Sequence, residues 1–107
     1  MTPTTLLNLL EWISLETVEE IQLNTLRTFL FVASRGKVGQ KEIEQSLGAS
    51  GASASRNIAY WTKRRFDKKP GLDFLARVED ENDRRNNVIM LTKKGEAFYE
   101  RLKDKLG

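Results

Sequence analysis

The sequence predicts a mainly α-helical single domain that carries one small β-hairpin. Three observations lead there. The chain has 107 residues, 39% of them hydrophobic and 31% charged, which suits one globular core and leaves too little chain for two. Most of its apolar residues recur three and four apart, the spacing of one helix face. Residues 74–79 and 87–91 break this habit: both are rich in Phe, Leu, Val and Ile, and the polar stretch 80–86 separates them as strands flanking a charged tip.

The first helix is expected over about residues 3–15, where Pro3 suits a first turn and Leu6, Leu9, Leu10 and Ile13 share one stripe. Leu7, Trp12 and Leu15 lie off that stripe, and so broad an apolar arc predicts a second subunit against the helix. A second helix is expected from about 22 to 34, with Leu23, Leu26, Leu30 and Ala33 in line, Phe29 beside them and Gly36 as the stop. It reads as the central core helix. An extended link over residues 37–39 leads into a compact helix at 40–47, with Ile43 and Leu47 as its apolar pair and Gly48 as its end. Ser50 can cap the next helix, because its hydroxyl accepts an orphan amide of the first turn. That helix is expected to run to about residue 65, with Ala54, Ile58 and Trp61 inward and Ala52, Ser53, Ser55 and Arg56 toward the other side. DKKPG at residues 67–71 reads as a loop. After the hairpin, Thr92 is a candidate N-cap for a last helix marked by Ala97, Phe98, Leu102 and Leu106. No repeat or linker divides residues 1–107.

Composition narrows the chemistry. The sequence has no Cys and no His, which removes disulfides, thiolate and imidazole metal ligands, and the Ser-His and Cys-His nucleophile pairs. An enzyme would need a carboxylate constellation, and the acidic residues fall in patterns that helices and hairpin already explain; neither catalysis nor a cofactor or metal is expected. The longest apolar stretch, residues 26–33, is interrupted by Arg27 and Thr28 and falls short of the roughly 20 residues of a bilayer span. With no basic start or cleavage site at the N-terminus, the expected location is cytoplasmic.

Charge is unevenly spread. The first 26 residues hold four glutamates and no base, so all 18 Lys and Arg residues lie beyond them. Between residues 50 and 72 stand Arg56, Lys63, Arg64, Arg65, Lys68 and Lys69 against Asp67 alone. Such a cluster attracts a phosphate backbone, although cations at a helix C-terminus also suit the helix dipole.

Two helices joined by a Gly-containing turn, followed by a hairpin with arginines at its tip, are the parts needed to read a DNA duplex. The small residues Ser50, Ala52, Ser53 and Ser55 let a helix approach the major groove and supply hydroxyls for base edges or phosphates. At the tip, Asp83 beside Arg84 and Arg85 can hold a guanidinium ready for a narrow minor groove. The acids Glu79, Asp80, Glu81 and Asp83 outnumber these arginines, so the tip works through one or two positioned side chains. Lys63 and Arg64 add affinity rather than specificity.

The sequence resembles the MarR-type winged-helix transcriptional regulators over about residues 23–102. The resemblance rests on QKEIEQSLGAS (40–50), SASRNIAYW (53–61), Gly71-Leu72, EDENDRR (79–85) and LTKKGEAFYERL (91–102). It implies a homodimeric winged helix-turn-helix: dimerisation helices at 1–16 and 93–107, a helix-turn-helix at 40–66 and a wing at 74–91. By position it implies Ser50, Ala52, Ser53 and Ser55 at the major groove, Arg56 on a phosphate and Arg84 in the minor groove, oriented by Asp83. Arg85 is a secondary backbone candidate.

The chain departs from that pattern in three places. Gly51 stands where the family often has Pro, RRFDKKPGLDF (64–74) lengthens the connection to the wing, and both terminal helices are short. Short terminal helices leave little room for a ligand pocket, which argues against a small-molecule effector. The function expected is a sequence-specific regulator of transcription, a repressor acting on a near-palindrome. The alternative is a protein-interaction, architectural or single-stranded-DNA module that uses helix 1 and the aromatics Tyr60, Trp61, Phe66 and Phe74.

Overall fold

A computed structural model describes residues 1–17, 21–63, 70–79, 82 and 87–106. The elements in order are α1 (Pro3–Glu16), α2 (Leu23–Arg35), β1 (Lys37–Gly39), α3 (Gln40–Leu47), α4 (Gly51–Trp61), β2 (Leu75–Glu79), β3 (Asn87–Leu91) and α5 (Lys93–Leu106). The expected mainly helical architecture with a small hairpin is present, with one addition. The link at residues 37–39 is a strand, and it pairs antiparallel with β3 through Lys37↔Met90, Val38↔Ile89 and Gly39↔Val88. The sheet therefore has three strands in the order β1-β3-β2. Val38 and Ile89 are both buried, so this short strand ties the start of the helix-turn-helix to the wing.

Two apolar stripes differ from expectation. On α1 the inward residues are Leu9, Trp12 and Ile13, while Leu6 and Leu10 face solvent. Trp12 stacks on Phe98 of α5 with ring centroids 5.2 Å apart, and that contact turns the helix about its axis. On α2, Thr25, Thr28, Phe29, Val32 and Ala33 are buried, whereas Leu23 and Leu30 are exposed. The threonines can be inside because their hydroxyls have partners: Thr28 Oγ1 donates to the Asn24 carbonyl at 2.8 Å and Thr25 Oγ1 to Asn57 Oδ1 at 2.7 Å.

The core is an aromatic cluster around Phe29. Its ring lies 4.8 Å from Trp61 and 5.4 Å from Phe98, centroid to centroid, and Phe74 stacks on Phe98 at 4.6 Å. Trp61 satisfies its indole N–H by donating to the Thr25 carbonyl at 2.8 Å, which leaves no polar cost to its complete burial.

Helix α4 ends four residues earlier than expected. Past Trp61 the chain turns extended at Thr62, and the Trp61 and Lys63 carbonyls accept from the Phe74 amide at 2.8 Å and the Gly71 amide at 3.0 Å. Those acceptors would otherwise have served the next helical turn. Helix α5 starts as expected: Thr92 Oγ1 accepts from the Gly95 amide at 3.0 Å and its own proton goes to the Asp73 carbonyl at 2.6 Å. Gly95 is needed there, because a Cβ would collide with the Phe74 carbonyl.

Candidate nucleic-acid interface

The turn between α3 and α4 is built by Gly48, whose φ of 62° and ψ of 37° are left-handed. Its amide and that of Ala49 donate to the Gln45 and Glu44 carbonyls at 3.3 and 3.0 Å, closing α3. At the other end of α3, Glu42 Oε1 accepts from the Gly39 amide at 3.4 Å. Arg27 of α2 steadies the turn, donating to Asn24 Oδ1 at 2.8 Å and to the Ser46 carbonyl at 3.2 Å.

Ser50 Oγ accepts from the Ser53 amide at 3.2 Å, so it caps α4 and keeps its own proton for an outside acceptor. Ala54, Ile58 and Trp61 are fully buried, as their spacing predicts. The opposite face carries Ala52 and Arg56, both exposed and one turn apart.

The serines divide between two flanks. Ser53 is half-buried toward α2, beside an open groove of about 380 Å³ lined by Gln22, Thr25, Ser53, Arg56, Asn57 and Tyr60. Its carbonyl accepts from Asn57 Nδ2 at 3.1 Å, completing a chain of hydrogen bonds with Thr25 and Trp61 that fixes α4 on α2. Ser55 is half-buried on the wing side, where Arg77 of β2 donates to its hydroxyl and its carbonyl, each at 3.2 Å. Lys63 is exposed past the end of α4. Arg64, Asp83, Arg84 and Arg85 lie outside the described residues.

Arg77 is the residue that sequence reasoning missed. A lone arginine in a hairpin strand reads as solvent-facing, and the pairing of β2 with β3 does not announce which helix lies alongside. Arg77 is exposed by area; desolvation of its guanidinium draws the pKa below the usual arginine value, and the group stays charged. Of the aromatics considered for stacking or partner contacts, Trp61 and Phe74 are buried in the core and Tyr60 is half-buried, edge-on to Trp61 at 5.0 Å. Phe66 lies outside the described residues.

Among the described residues no group of three or more His, Cys, Asp or Glu side chains could hold a metal ion. No helix there is long and apolar enough to cross a membrane.

No protein-family model matches this sequence, and no curated protein matches it. Solved structures do match the fold. A mutant MarR from E. coli, complexed with operator DNA, superposes with a TM-score of 0.65 at 16% identity, covering 82% of this chain and 57% of that one. RV1404 from Mycobacterium tuberculosis gives 0.74 at 17% identity, over 95% of this chain and 64% of that one. The S. aureus MepR-DNA complex gives 0.67 at 19% identity, over 96% and 73%. The chain thus spans less than two thirds of the MarR and RV1404 chains. Together the helix-turn-helix, the three-stranded sheet and these superpositions establish that the chain has the winged-helix fold of the MarR-type regulators.

Proposed function

We propose that this chain is a sequence-specific double-stranded-DNA-binding regulator that acts as a homodimeric repressor on a near-palindromic site. The observation that carries the reading is the outward face of α4. It presents a capping hydroxyl, a methyl group and a cation at Ser50, Ala52 and Arg56 with no bulky side chain between them, in a fold whose MarR and MepR examples were solved with DNA. A backbone that can come close to base edges, with Arg56 at the phosphates, suits the major groove. The wing would add Arg84, oriented by Asp83, in the flanking minor groove, with Arg85 as a backbone contact and Lys63 and Arg64 as sources of affinity.

Exposed leucines support the dimer. Leu6, Leu7 and Leu10 on α1 are 44%, 55% and 41% exposed, and α1 packs on α5 within one chain, so the two helices offer a shared apolar surface to a second copy. A dimer places two α4 helices about one turn of duplex apart. Selection of bound duplexes from a random pool tests this reading: it should enrich a near-palindrome with that half-site spacing, and a pool that stays random contradicts it.

A further inference from the structure

The hairpin leaves the body of the protein partway along its length. Leu75 and Ile89 are buried, whereas Arg77, Val78 and Glu79 along the far half of β2 are exposed. Register places Arg77 opposite Ile89, with Val78↔Val88 and Glu79↔Asn87 beyond it. Arg77 therefore sits on the exposed half of β2, at a level where β3 is still paired with β1 through Val38↔Ile89, and of the described pairs only Glu79↔Asn87 lies beyond the three-stranded part.

At that level Arg77 reaches α4. Nη1 donates to Ser55 Oγ and Nη2 to the Ser55 carbonyl, both at 3.2 Å. A guanidinium holds its donors in a rigid plane, so two bonds to one residue fix direction as well as distance. The Ser55 carbonyl has two lone pairs and can serve the helix and Arg77 together, while the hydroxyl, with one lone pair engaged, is left to donate outward.

We infer that Arg77 is a positioning residue: it locks β2 to α4, so that the helix and the root of the hairpin are presented to a duplex in one fixed relative geometry. The lock is a property of the free protein; its effect on recognition rests on the proposed DNA-binding function. Two variants separate its parts. Arg77→Met keeps the apolar stem without the donors, and Arg77→Lys keeps the charge without the planar fork.

The measurements are backbone ¹⁵N relaxation on the free protein and affinity for a selected and a scrambled duplex across salt concentrations. In both variants the order parameters of 77–79 and 87 should fall from a rigid value of about 0.85 toward about 0.6, with those of α2 to α4 and of 88–89, held by β1, unchanged. Preference for the selected duplex should fall about tenfold, the scale of a lost charge-assisted hydrogen bond, and Lys should not restore it. Unchanged order in both variants overturns the lock whatever the DNA result. Rescue by Lys, with Met weakening both duplexes equally and lowering the salt slope by about one, assigns Arg77 to a phosphate and also overturns it. Loosened strands together with a wild-type protein that prefers no duplex sustain the lock and remove the sequence-specific reading instead.

Discussion

Ser50 caps α4 and is a proposed DNA contact, and substitutions can separate the two roles. Its hydroxyl caps α4 through the Ser53 amide, so Ser50→Ala should lower stability by about 1 kcal/mol. Ser50→Asp keeps a capping oxygen and adds favourable charge at a helix start, yet sets that charge against DNA phosphates. Thermal melting should hold or rise while duplex affinity falls; affinity unchanged by Asp would remove Ser50 from the interface. Gly95 bears on packing alone. With the Phe74 carbonyl in the place of its Cβ, Gly95→Ala should cost about 1–3 kcal/mol as overpacking, read as a lower urea midpoint with an unchanged m-value. At this scale the sequence discloses what hydrophobic spacing encodes: Ala54, Ile58 and Trp61 were legible because they are apolar at intervals of four and three. Thr25 and Thr28 were not, since a buried hydroxyl depends on a partner found only in the folded state, and Arg77 was hidden for the same reason.

Among the elements, α3 was the most legible, with Gly39 before it and Gly48 after it marking both ends. Strand β1 was not, because three residues carry no alternation and their pairing is set by β3, some fifty positions along the chain. The end of α4 was misjudged because the acceptors that stop it are claimed by Gly71 and Phe74, a tertiary event. On α1 the predicted stripe holds at Leu9 and Ile13 and fails at Leu6 and Leu10, because the stacking of Trp12 on Phe98 shifts the buried arc. The leucines left outside make a prediction of their own. Leu10→Glu should convert a dimer to a monomer in sedimentation velocity while leaving far-UV circular dichroism intact, since Leu10 is exposed within the chain. A wild-type protein that is monomeric at tens of micromolar contradicts the dimer directly.

For the molecule as a whole, fold class and the order of parts were readable from periodicity and turn residues, and solved winged-helix structures share them. The placement of the candidate residues was readable in part: Ser50, Ala52 and Arg56 meet on one exposed surface, whereas Ser53 and Ser55 fall on opposite flanks of α4. Spacing alone assigns both serines to a polar side, and only the neighbours α2 and β2 tell them apart. Arg56 is exposed, so Arg56→Ala should leave stability unchanged, weaken selected and scrambled duplexes alike, and reduce the salt slope by about one. Loss confined to the selected duplex would make Arg56 a base reader. Reading of duplex sequence through α4 and the wing, as proposed, is tested by wild-type affinity for the enriched duplex and for its scrambled counterpart across a range of salt. The enriched duplex should bind at least about 10³-fold more tightly at physiological salt; equal affinities with identical salt slopes would show that the chain does not read sequence.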